Sequence, residues 1–540
     1  MGDLAGRRTW WLMVALLGWQ ISRSAEAAPP TLEHLFPAGA ARGQAVTLNA
    51  AGQLPAWPLD VWTDRRDVTV RCGDKQGELQ VAVAADAAPG VCWLRLFNAD
   101  GASGLRPLVI GTLPEVLEQE PNDSPDKAQA VSLPATVNGR LEKNGDVDAY
   151  AADLQKGQTL VASLLAHRVI GSPMDGVLQI CDRQGFVLQQ IDDACGLDPQ
   201  TAFVAPRDDR YGVRVFAFPD APNSTIAFAG GPGFVYRLTL TAGGFLDSTL
   251  PLAVRSTDPT ELQAGGWNLP AAATILATAR GDAEQLDVFH PQWAGWLRLP
   301  ATPFPLAIAA EPNDAGAPFE VPTSVVVSGC VDGPGDVDAF RFVVRQGQRL
   351  AFRVESRSLG YPLDAILELT DAAGQSLAKA DDVGEQADPQ LIHEFRADGP
   401  CQLILRDAFG HGGSRYAYRV TIQEARPDFG LRSATEAFVL TAGQTVEIPV
   451  TVERTNGFSQ EIEVRADGLP EGVKCEPAVS RPEGDSAKSV KLKLSSSGPA
   501  GSGIFSIRGL SQGTPSTQRT ARFAIGGTWP DQPQGWLTVR

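Results

Sequence analysis

Short stretches in which apolar and polar residues alternate with period two recur from end to end of this chain. Ala45-Val46-Thr47-Leu48-Asn49 and Val91-Cys92-Trp93-Leu94-Arg95-Leu96 open the series. Thr159-Leu160-Val161-Ala162-Ser163-Leu164 and Leu350-Ala351-Phe352-Arg353-Val354-Glu355 continue it, and Val446 to Val452 and Ser489 to Leu494 close it. That alternation puts successive side chains on opposite faces, as in a half-buried strand. Turn residues separate the runs: Pro89-Gly90, Asp100-Gly101, Asp182-Arg183-Gln184-Gly185, Asp371-Ala372-Ala373-Gly374 and Leu469-Pro470-Glu471-Gly472. Strands so spaced, without sustained helical periodicity, predict an all-β fold of sandwiches.

Two long segments repeat each other about 190 residues apart. The first carries Glu120-Pro121-Asn122-Asp123, Gly145-Asp146-Val147-Asp148-Ala149-Tyr150 and Lys156-Gly157-Gln158. The second carries Glu311-Pro312-Asn313-Asp314, Gly335-Asp336-Val337-Asp338-Ala339-Phe340 and Gln346-Gly347-Gln348. Further on, Asp192-Asp193 matches Asp381-Asp382, Asp198-Pro199-Gln200 matches Asp388-Pro389-Gln390, and Tyr236-Arg237 matches Tyr418-Arg419. A fainter echo aligns Phe36-Pro37 with Leu250-Pro251. The expected units are 28–112, 113–241, 242–305 (a shortened relative of the first), 306–424 and 425–526, with 527–540 a loose tail. Duplicated modules are the signature of binding or spacing arrays.

The length of 540 residues exceeds one hydrophobic core, and a 43% apolar content suffices for several. A net charge of −17 argues against nucleic acid as a partner, because phosphate needs a positive face. Arg7-Arg8, the apolar run Trp10 to Ile21 and Ala25-Glu26-Ala27 read as an export signal over 1–27. That run is too short for a membrane span, so the expected location is secreted, periplasmic or at the cell surface. Six of the seven cysteines form sequence-close pairs, Cys72 with Cys92, Cys181 with Cys195 and Cys330 with Cys401, as disulfides of an exported protein would; sequence alone does not establish the pairing.

The ordered series Glu-Pro-Asn-Asp, Gly-Asp-Val-Asp-Ala-Tyr/Phe, x-Gly-Gln, Asp-Asp and a closing Tyr-Arg strand resembles the bacterial pre-peptidase C-terminal domain. The resemblance covers 113–241 and 306–424, and the flanking units look like immunoglobulin-like modules. It implies jelly-roll sandwiches, and hence tandem jelly-roll and immunoglobulin-like domains in an extended array. Relatives in clostridial collagenases hold calcium. Glu120, Asn122, Asp123, Asp146 and Asp148, and in the second copy Glu311, Asn313, Asp314, Asp336 and Asp338, are therefore candidate Ca²⁺ ligands. The competing role is turn capping by the same Asn and Asp side chains.

Other chemistry is sparse. Asp192-Asp193 and Asp381-Asp382 are adjacent in sequence, so in a strand they point oppositely and cannot jointly flank a scissile bond. The five histidines are scattered, without a His-Glu-x-x-His zinc signature or a P-loop, and no nucleophile elbow is expected. Among eleven tryptophans, Trp293 and Trp296 are the candidate exposed pair for stacking on a ligand. The expectation is a non-catalytic binding or scaffold protein. Its partner would be an extracellular polysaccharide, a matrix or cell-surface protein, or a secreted hydrolase to which it is an accessory. An enzyme with an unrecognised site in 242–305 is the remaining alternative.

Overall fold

The computed structural model describes residues 28–221, 227–279, 281, 283–382 and 388–540; the expected signal peptide lies outside them. The fold is all-β, a tandem set of β-sandwiches. Alternation in sequence becomes alternation in burial. In Ser489–Ser496, Val490, Leu492 and Leu494 face the core while Lys491 and Lys493 face solvent.

The two repeats share one topology. In the first, one sheet runs Glu115–Leu117, Ala135–Arg140, Val235–Thr241, Thr159–Leu165, Gln200–Val204. The facing sheet runs Gln129–Ala130, Asp148–Leu154, Asp209–Pro219, Met174–Cys181, Val187–Ile191. The second repeat reproduces both orders strand for strand, from Leu306–Ile308 to Gln390–Glu394 and from Phe319–Glu320 to Ser376–Ala380. The x-Gly-Gln motif is a turn: Gly157 and Gly347 adopt φ of 83° and 77°, which glycine tolerates, and the following glutamine accepts a backbone N–H three residues back. Asp198 and Asp388 each cap a short helical turn, taking N–H bonds from Ala166, His167 and Arg168, or from Ser356, Arg357 and Ser358.

The unit 28–112 pairs a sheet containing Ala45–Ala51 and Glu78–Val83 with one containing Gly90–Asn98 and Arg106–Gly111. Residues 242–305 form two three-stranded sheets around a core of their own that includes Leu246, Val254, Leu262, Val288 and Leu299. The last unit extends past 526. Gly535–Val539 pairs with both Ala437–Leu440 and Gly501–Ser511, and Trp536 is 2% exposed, so 527–540 is not a loose tail. Its apolar residues complete a core that a free end would leave open.

The array is closed rather than extended. Arg95 of the first unit donates to Glu436 of the last at 2.6 Å, with both side chains buried. The guanidinium also lies over Trp62 and Trp536, at 5.8 and 5.2 Å from their ring centroids. Glu436 accepts a second bond from the Leu105 N–H. Because both charges are buried, losing either partner would leave the other as an uncompensated charge out of water.

The expected disulfides are not formed; all seven cysteines are free thiols. Cys72 and Cys92 lie in opposite sheets of the first unit, and Cys330 and Cys401 in opposite sheets of the second repeat. Facing sheets stand about 10 Å apart, beyond the Cα reach of a disulfide unless both side chains aim at each other. Cys195 meets the Arg415 guanidinium at 3.1 Å instead of Cys181. Among the described residues no helix is long and apolar enough to cross a membrane.

Truncating Glu436 to alanine strands Arg95 as a buried, unpaired charge. Urea unfolding of Glu436→Ala should show a loss of about 3–5 kcal/mol, with the first and last units melting apart. An unchanged midpoint would mean that the two units do not meet through this pair.

Candidate cation centres in the two repeats

Each centre is built where an edge loop meets the start of an inner strand. Glu120 and Glu311 accept the N–H of Asn122 and Asn313 at 3.0 and 3.1 Å, folding the Glu-Pro-Asn segment into a tight turn. The carbonyls of those asparagines then accept the N–H of Ala149 and Ala339, which fastens the turn to the Gly-Asp-Val-Asp strand. Asn122, Asn313, Asp146, Asp148 and Asp338 are at most 2% exposed, while Glu120 and Glu311 reach the surface.

Asp146, Asp148 and Asp338 are held through one oxygen and left bare at the other, whereas Asp336 is held through both, its Oδ1 accepting the Val337 N–H at 2.9 Å. Asp146 Oδ2 accepts the Glu142 N–H at 2.5 Å, and Asp336 Oδ2 accepts the Asp332 N–H at 2.7 Å. Asp148 and Asp338 accept at Oδ2 from the hydroxyls of Tyr236 and Tyr418, the tyrosines of the closing Tyr-Arg strand. Among the described residues, Oδ1 of Asn122, Asp146, Asp148, Asn313 and Asp338 is buried without a hydrogen-bond partner. Unpaired buried oxygens are costly, and a hard cation that took them as ligands would relieve that cost. Carboxylate oxygens of Glu118, Glu120 and Asp148 lie within 4.8 Å of one another, as do those of Glu311, Asp336 and Asp338.

Crowding shows in the titration of these groups. Burial, then the fields of Asp336 and Glu311, push the Asp338 carboxyl up to about 7, against the pull of the Tyr418 hydroxyl. Burial, then the fields of Glu120 and Asp146, raise the Glu118 carboxyl, and burial, then the field of Glu118, raises that of Asp148. Burial likewise raises Glu120 and Glu311.

Three sequence expectations change at this site. Asp123 and Asp314 are exposed and stand outside both groupings; Asp314 caps its own turn through the N–H groups of Gly316 and Ala317. Glu118, two residues before the Glu-Pro-Asn-Asp motif, joins the first centre. The signal was present, since Glu118 and Glu120 sit two apart on an extended segment and share a face. The corresponding place in the second repeat is Ala309, which lies beside Gly329 as the Glu118 carboxylate lies beside Gly139, so the two centres differ by one carboxylate. A third group, Asp364, Asp381 and Asp382, also lies within 4.8 Å, but its two adjacent aspartates are exposed and Asp364 pairs with Arg357 at 3.2 Å.

The remaining candidates separate. Trp293 is 8% exposed, stacked on His290 in the core of 242–305, so it is not half of an exposed pair. Trp296 is half-buried with Arg298 over its ring. Gly509-Leu510-Ser511-Gln512-Gly513 does match the letters of a nucleophile elbow. It runs along and just past the strand Gly501–Ser511, and Ser511 is buried, accepting the Thr517 N–H, rather than presented on a strand-to-helix turn.

No protein-family model and no curated protein matches the chain. Among solved structures, the pre-peptidase C-terminal domain of a Bacillus anthracis collagenase is 14% identical, covering 23% of this chain and 100% of that one at a TM-score of 0.17. Clostridium perfringens ZmpB, an M60 catalytic domain with CBM51 domains, is 8% identical over 71% of this chain and 48% of that one, TM-score 0.15. Bacteroides ovatus SGBP-B, solved with a mixed-linkage heptasaccharide, is 10% identical over 72% and 73%, TM-score 0.14. Scores this low establish no common activity.

Two measurements probe the centres. A Cβ at Gly329 would fall on the Tyr418 hydroxyl, so Gly329→Ala should lose about 1–3 kcal/mol in chemical unfolding. In chelator, the folded state holds the Asp338 proton up to about 7, whereas an unfolded aspartate releases it near 3.9. The stabilising proton is thus fully present below that lower value and lost as pH rises through neutrality. Calorimetry in chelator should show the second repeat melting lower at pH 8 than at pH 5; a rise instead would mean these carboxylates are not crowded.

Proposed function

We propose that this is a non-catalytic scaffold, held outside the cytoplasm, that binds an extracellular polysaccharide, matrix or surface protein. Each repeat is stiffened by one Ca²⁺. The observation that carries the reading is the set of bare, buried oxygens at matching positions in both repeats. Asn122, Asp146 and Asp148 with Glu118 and Glu120, and Asn313, Asp336 and Asp338 with Glu311, are the side chains that would hold the ion. Oxygen-only ligands, mixed between carboxylate and amide, suit calcium rather than a softer metal. The ion would neutralise the crowded carboxylates and tie the Glu-Pro-Asn turn to the inner strand. A rigid repeat then presents its neighbours at fixed spacing, and repeated weak contacts with a polymer add through raised effective concentration.

Calcium should raise the melting temperature of the intact protein over the chelated form, by about 2.7 kcal/mol of stability at a hundredfold excess over the dissociation constant. Asp148→Asn should abolish the shift of the first repeat alone and Asp338→Asn that of the second. The first repeat, with its extra carboxylate, should take calcium more tightly. Superimposable calorimetric traces with calcium and with chelator would remove the ion from the reading. Failure of the calcium-loaded protein to be retained on any immobilised polysaccharide or matrix protein would remove the binding role.

A further inference from the structure

The closed arrangement encloses a cavity of about 540 Å³ where all five units meet, within the range of roughly 300–1,000 Å³ typical of small-ligand sites. The first unit contributes Trp93, the second Arg168, the third Trp296, the fourth Tyr361 and the last Trp529. The protein as a whole carries −17, yet the charged side chains lining this space are four arginines and one aspartate.

These groups are held in place from behind. Arg298 is fixed by Asp287 at 2.7 Å, and the Trp529 indole N–H donates to the Val169 carbonyl at 2.8 Å. Trp93 stands edge-on to Trp529 with centroids 5.8 Å apart. Asp247 is neutralised by Arg415 at 2.9 Å and accepts from Gln200, which closes the floor between three units. Arg168 differs: it is exposed at the rim and has no ion-pair partner among the described residues. Indole faces bind flat rings with an apolar face, and a guanidinium free at the rim binds a carboxylate through paired N–H donors.

We infer that this junction is a binding site for a ring compound bearing a carboxylate, its ring against Trp296 and Trp529 and its carboxylate on Arg168. The inference deepens the binding role proposed above by giving that role a location and a ligand charge. An acidic sugar and an aromatic acid share this chemistry, and the site requires all five units because each supplies a wall.

Isothermal titration of the full chain with digalacturonate, indole-3-acetate and cellobiose tests it. At least one of the two acids should bind and quench tryptophan fluorescence, with neutral cellobiose weaker by about tenfold or more. Binding of digalacturonate alone identifies a saccharide site, and of indole-3-acetate alone a site for aromatic acids. Arg168→Ala should weaken the bound acid by about tenfold without moving the melting temperature, since Arg168 is exposed. Trp296→Ala should weaken it and shrink the quenching. No heat with either acid, equal binding of cellobiose, or an Arg168→Ala affinity equal to that of the parent chain would overturn the assignment. Calcium-dependent melting and polymer retention, followed in the same variants, separate failure of this site from failure of the scaffold.

Discussion

Neighbouring side chains of a strand must point to opposite faces, and at Tyr236-Arg237 and Tyr418-Arg419 that constraint organises the molecule. The tyrosine points inward and holds Asp148 or Asp338 by one oxygen, which leaves the other oxygen bare in the cation centre. The arginine points outward to the preceding unit. Arg237 packs against the backbone at Gly39 and Gly111 while held by Glu115 and Asn138. Arg419 donates to the Leu252 carbonyl and is held by Glu355. One dipeptide thus ties the interior chemistry of a repeat to the joint with its neighbour.

The joints therefore repeat along with the domains. Ala38, Ile170 and Val235 pack together between the first two units, and Leu252, Tyr361 and Ala417 do so between the third and fourth. Ala38 and Leu252 each follow the Phe36-Pro37 or Leu250-Pro251 pair, both in cis. The chain reads as two such blocks plus a final sandwich, and the final sandwich closes the assembly through Arg95 and Glu436. Closure creates the central cavity, which no single unit contains.

The repeats are not copies in their chemistry. Tyr150 meets the Tyr236 hydroxyl at 2.5 Å, whereas Phe340 offers no hydroxyl to Tyr418. Glu118 adds a carboxylate that Ala309 lacks. Both differences make the first centre more polar and more acidic, on an unchanged strand order.

Periodicity and repetition settled what depends on local geometry. Period-two runs gave strands because alternation is a property of the extended backbone itself, and the matching motifs placed Asn122, Asp146, Asp148 and their counterparts together because both copies fold alike. Glu118 lay within reach of the same reasoning, two residues before Glu120. What could not be read were relations between distant segments. Pairing of cysteines near in sequence failed because proximity along a chain says nothing about which sheet layer each residue enters. The burial of Trp293 depends on how the two small sheets of 242–305 close over it, and that of Gly535–Val539 on pairing with Ala437–Leu440, about a hundred residues earlier. Arg95 and Glu436 are 341 residues apart, and their pairing depends on how whole sandwiches pack. Strand, turn and repeat follow from interactions within a few residues, whereas closure and the cavity follow from surfaces that exist only after each sandwich has folded.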